Sequence, residues 1–193
     1  MKLYPSGVWT DWEDIPWQSR LFAVLATAHI GFALLFPYIS VPLIKWIEPR
    51  GLLDIFIIVF SMPFVFIFIY FAVRRWPLLK RDRKLLVVAA ALLYIAVYFS
   101  LPDRRERLHI ISFSVMGIFL YKFFSPLMPL KKATLRALFL TIFIACFDEW
   151  LQQGIEGRTS TLHDAFLGVK GALLGVGISW IFDKYSRKGR TST

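Results

Sequence analysis

Residues 55–71 read IFIIVFSMPFVFIFIYF. A half-buried strand would alternate polar and apolar positions, and this run does not. Backbone groups in lipid must bond within their own segment, so a run of this kind predicts a helix in a bilayer. Working outward, it belongs to a stretch at 53–73, and five more stretches resemble it: 21–44, 85–101, 108–125, 133–151 and 164–182. Each is near the ~20 residues that a helix needs to cross hydrocarbon. The sequence therefore predicts an all-α integral membrane bundle of about six transmembrane helices. Pro37 and Pro42 are expected to kink or shorten the first helix, and Pro63 to kink the second.

Composition agrees. Of 193 residues, 57% are hydrophobic and 19 are Phe; with Gly counted in place of Tyr the apolar share is roughly 59%, where soluble domains run about 45–50% on that count. That excess needs an apolar solvent. It excludes a soluble enzyme, a disordered chain and a fibrous repeat. The net charge of +10 would suggest nucleic acid on a soluble protein, so its placement matters. The segments on one side are the N-terminus, the 74–84 loop, the 122–136 region and the C-terminus. Together they hold sixteen of the 23 basic residues. The opposite side holds six: Lys45, Arg50, Arg104, Arg105, Arg107 and Arg158. Lys170 falls within the last stretch. Positive charge marks the cytoplasmic side, so both termini are expected in the cytoplasm. The basic cluster at 74–84 then reads as a topology determinant touching anionic lipid, and no nucleic-acid partner is expected.

Four regions follow: an interfacial N-terminal segment at 1–20 with Trp9, Trp12 and Trp17, three helices within 21–101, a second helical region at 102–182, and a basic cytoplasmic tail at 183–193. Residue Cys146 is expected to pack as an apolar side chain; as the sole cysteine it excludes an internal disulfide. Walker A, dinucleotide, HExxH and GxSxG motifs are absent, so neither a cofactor nor a metal is expected.

Chemistry-bearing residues gather on the less basic side. Arg105-Glu106-Arg107-Leu108-His109 leads into the fourth stretch, and Asp148-Glu149-Trp150-Leu151-Gln152 closes the fifth. Gly157-Arg158-Thr159 follows, and Asp164 opens the sixth. Ionisable groups near membrane segments are costly and usually face a polar interior or a partner. Asp148 and Gln152 are i, i+4 and Glu149 and Gln152 are i, i+3, so one helix face presents all three. His109, Glu149, Arg158 and Asp164 meet at one depth if the last three helices are neighbours.

Each has two readings. His109 is a proton-transfer group or a histidine at headgroup level. Asp148 and Glu149 act as general base, as cation ligand or as binder of a cationic group, or they pair with Arg158 or Lys170. Arg158 grips a phosphate or carboxylate, or pairs with an acid. Asp164 lines a site, or completes a capping box with Thr161. Gly168, Gly171 and Gly175 lie at i, i+3 and i+7, a stripe suited to close helix packing.

Asp148-Glu149-x-x-Gln152, Gly157-Arg158-Thr159, Asp164 and Gly171-x-x-x-Gly175 together resemble the signature of VanZ-like membrane proteins, and Glu106-Arg107-Leu108-His109 resembles that family's earlier motif. The resemblance covers about residues 102–182. The family usually has Asn where this chain has Gly168, so this chain does without that polar contact or uses Lys170 instead. The resemblance implies a multi-pass protein of the bacterial cytoplasmic (inner) membrane with a role at the cell envelope, a link to teicoplanin resistance, His109, Asp148 and Glu149 as catalytic residues, and Gln152, Arg158 and Asp164 as ligand-binding residues. The expected partners are membrane lipids and an anionic, lipid-linked or cell-wall ligand. The alternatives are a membrane enzyme using His109 and Glu149 as an acid–base pair, and a structural or accessory subunit. The oligomeric state is left open.

Overall fold

A computed structural model describes residues 15–52, 55–56, 59, 81–155 and 161–188. Among them the chain is helical, with no strand. The helices are α1 (Trp17–Ile47), α2 (Arg81–Ser100), α3 (Arg104–Phe124), α4 (Leu130–Gln152) and α5 (Leu162–Lys188). The last three correspond to the fourth to sixth apolar stretches. Most of the 53–73 stretch, with Pro63, lies outside the described residues, as do Trp9 and Trp12.

Helix α1 contains Pro37 and Pro42 yet continues for 31 residues, so the expected shortening does not occur. A 3₁₀ turn at Glu48–Arg50 ends it, and Gly51 takes φ 70, a left-handed conformation that glycine adopts without Cβ strain. Helix α3 begins at Arg104, so the charged Arg105-Glu106-Arg107 segment forms its first helical turn rather than a loop. Arg107 turns back, donating from Nε and Nη2 to the carbonyl of Leu101 at 3.3 and 3.0 Å. Its guanidinium also lies over Tyr98, which fixes the turn between α2 and α3. Helix α5 runs to Lys188, past the expected start of the tail.

Helices α3 and α5 run parallel. Ser114 Oγ donates to Gly171 O at 3.0 Å midway along α3, and Lys122 meets Asp183 near the C-terminal ends of both helices. Glycines make this approach possible. A Cβ at Gly171 would stand 2.7 Å from Ile110 O, and one at Gly175 would stand 2.0 Å from Ser114 O. Small residues let helix backbones close up where lipid provides no hydrophobic drive.

Helix α4 runs antiparallel to both. Its buried side is Ala133, Ala137, Thr141, Ala145, Asp148, Glu149 and Gln152, nearly one residue per turn. The acidic residues thus continue a small-residue stripe and turn inward with it.

Helix α1 packs antiparallel on α3. Phe22 approaches Phe119 with ring centroids 6.2 Å apart, and Ile47 packs with Leu108. Between them, His29 Nε2 lies 2.9 Å from Ser112 O and 3.1 Å from Ser112 Oγ. Helix α2 packs antiparallel on α5, with Val87 against Ile178 and Phe182. The end of α1 and the start of α2 therefore lie at opposite ends of the bundle.

Among the described residues, three helical segments are long and apolar enough to cross a membrane: Trp17–Ile39, Glu106–Phe124 and Leu162–Lys184. The apolar part of α2, Lys84–Ser100, is shorter. Helix α4 carries Lys131, Lys132 and Arg136 near its start and Asp148 and Glu149 near its end. Its outer face is nonetheless apolar. Phe139, Phe143, Phe147 and Trp150 form an exposed ladder with centroids 6.5, 6.2 and 5.5 Å apart. A ladder of this kind in water would mark a sticky patch; against lipid it is an ordinary surface. Cys146, expected to pack inside, is exposed instead.

Candidate functional site

The inner face of α4 delivers Asp148 and Glu149 to the end of the bundle where α3 and α5 begin. Both are buried, at 4% and 5% exposure. His109, in the second turn of α3, completes the group. Its Nδ1 lies 3.9 Å from Glu149 Oε1, and its ring stacks on Phe113, one turn on, at 6.2 Å and 15°. One ligand atom from each of His109, Asp148 and Glu149 falls within 4.8 Å of the others. Residues 39 and 40 positions apart in sequence are joined here because α3 and α4 are antiparallel neighbours.

Gln152 is 2% exposed, one turn beyond Asp148 on the same face, and its Nε2 has no hydrogen-bond partner among the described residues. Burial of an amide without a hydrogen bond is costly. Arg158, with Gly157 and Thr159, lies outside the described residues.

Asp164 stands apart from the three-residue group. Its Oδ2 accepts from Thr161 Oγ1 at 2.8 Å, and its N–H donates back to that oxygen at 3.2 Å. This is the helix cap of α5, which satisfies one of the donors that a helix start leaves open. Thr161→Ala is expected to destabilise the protein by about 1 kcal/mol, and Thr161→Ser to leave it unchanged. Thermal unfolding of the purified protein checks this, and equal melting of the two variants would count against a capping role.

Gly168 is enclosed. A Cβ there would stand 2.6 Å from Ala145 Cβ and 3.1 Å from Phe113 Cδ2. An Asn at this place would force α4 and α5 apart. Lys170 is exposed, so it points out of the bundle and does not take over that place.

Two contacts were not anticipated from the sequence. His163 Nε2 approaches Glu106 Oε1 at 3.2 Å, bridging the first turns of α3 and α5 beside the cluster. Glu106 precedes His109 by three residues, a spacing that puts both on one helix face. The pairing of His29 with Ser112 had no sequence signal, since its acceptors are a backbone carbonyl and an ordinary serine.

Comparison with protein-family models, with curated proteins and with solved structures gave no match to this chain.

Proposed function

We propose that this chain is a VanZ-like multi-pass protein of the bacterial cytoplasmic membrane, with six crossings and both termini in the cytoplasm. Its cluster end would face outward and bind an anionic, lipid-linked or cell-wall ligand. The meeting of His109, Asp148 and Glu149 at one buried end of the bundle carries this reading. Six crossings are supported by the end of α1 and the start of α2 lying at opposite ends of the bundle. The cluster end also holds fewer of the basic residues, as an outward face does.

Two features favour an anion. Parallel α3 and α5 present two helix N-termini at the same end, and the positive end of a helix dipole attracts negative charge. Arg158 lies between α4 and α5 in the sequence and would supply a planar fork for phosphate or carboxylate. Gln152 would orient a ligand oxygen from the buried side. A link to teicoplanin resistance rests on the motif resemblance at residues 102–182.

The test is retention of a polyprenyl phosphate by the protein in phosphatidylcholine nanodiscs, read by native mass spectrometry. The wild type is expected to hold it in preference to the neutral polyprenol. Arg158→Gln should weaken retention about tenfold, equivalent to about 1.4 kcal/mol. Equal retention of the phosphate and the alcohol would sink the proposal.

A further inference from the structure

A pocket for an anion is not normally lined with carboxylates. Asp148 and Glu149 are both buried, and like charges brought near a phosphate in a poorly screened site repel it. A divalent cation held between them reverses the sign of the site. It balances two carboxylates and leaves open coordination positions for an oxygen ligand.

The donors converge on one point. His109, Asp148 and Glu149 each offer one donor atom, all within 4.8 Å of one another. Nitrogen and oxygen ligands sit about 2.0–2.2 Å from a zinc-like ion, so tetrahedral donors stand about 3.4 Å apart. His109 Nδ1 and Glu149 Oε1, at 3.9 Å, close by about half an ångström on an ion, and donors at the full 4.8 Å spread close by about 1.4 Å, within reach of side-chain rotation. One imidazole with two carboxylates is a donor set for Zn²⁺ or Mn²⁺. Gln152 adds an independent observation. Its amide Nε2 is buried on the same α4 face and has no hydrogen-bond partner among the described residues, and an oxygen ligand on the ion would accept from it.

We infer that His109, Asp148 and Glu149 hold one divalent transition-metal ion, Zn²⁺ or Mn²⁺, whose open positions receive an oxygen of the anionic ligand. The ligand half of this inference rests on the function proposed above; the ion half does not.

The protein, purified in detergent without a polyhistidine tag and stripped with EDTA, is titrated with Zn²⁺ and with Mn²⁺ by calorimetry. One ion per chain is expected. Glu149→Gln and His109→Gln should each weaken binding at least tenfold. Glu48→Gln, which changes an exposed carboxylate at the same end of the bundle, should not. Loading of the unaltered protein with Co²⁺ should give visible absorption of imidazole and oxygen coordination, which needs no variant to fold. Absence of saturable binding by the wild type, or full binding by both ligand variants, overturns the inference. Retention of the polyprenyl phosphate is then compared with and without EDTA. Loss on chelation supports the ion as the bridge, and undiminished retention overturns that role while leaving the binding function standing. Ion binding with no retention in either condition supports the metal site and overturns the binding function.

Discussion

Gly175→Ala should melt about 10 °C below the wild type, corresponding to a loss of about 3 kcal/mol at 2–4 °C per kcal/mol. The added Cβ would stand 2.0 Å from Ser114 O, 2.7 Å from Ser114 C and 2.8 Å from Ser114 Cα. All three are backbone atoms, so no rotamer change relieves the clash. Overpacking typically costs about 1–3 kcal/mol, and backbone against backbone belongs at the upper end. Relief requires α3 and α5 to separate, which stretches the Ser114 Oγ bond to Gly171 O. Gly177→Ala is the matched control, two residues on in the same helix with nothing within 4 Å of its added Cβ. There the substitution should gain up to about 1 kcal/mol of helix propensity. Thermal unfolding in detergent, followed by size-exclusion fluorescence, reads both. If the two variants melt together, the close approach of α3 and α5 is not what holds the bundle.

The sequence made the helical character and the cluster legible for the same reason. In chains this apolar the few polar residues stand out, and the spacing of Asp148, Glu149 and Gln152 assigns them to one face. That this face is the buried one follows from Ala137, Thr141 and Ala145, which precede them at helical intervals. Pairings across helices were not legible. Lys122 reads as one of sixteen topology charges, yet it lies inside α3 and engages Asp183, 61 residues away. His29 reads as one polar residue in an apolar helix, and its contact with Ser112 depends on how α1 crosses α3. Gly168 reads as the loss of a polar side chain. Its setting between Ala145 and Phe113 makes it a steric requirement instead. Asp164 had two readings that one sequence supports equally, and the hydrogen bonds with Thr161 assign it to the cap.

Lys122→Met should destabilise the protein by about 3 kcal/mol, the cost of removing one partner from a largely buried ion pair. Nζ lies 2.6 Å from Asp183 Oδ1, with the side chains 17% and 10% exposed. The substitution keeps most of the Lys122 stem volume, so the loss reports the charge rather than a cavity. Asp183 would then keep its carboxylate between α3 and α5 without the ammonium, where desolvation is expensive. Asp183→Leu alone should cost a similar amount, because the ammonium is left in its place. The double variant Lys122→Met/Asp183→Leu should recover most of the loss, since apolar replacement of a buried pair is often neutral. A double-mutant cycle on thermal unfolding gives the coupling, expected at about 5 kcal/mol where the double variant keeps a loss of about 1 kcal/mol, above the roughly 0.5–3 kcal/mol usual for residues in contact. Losses that simply add in the double variant would mean that the two charges act independently.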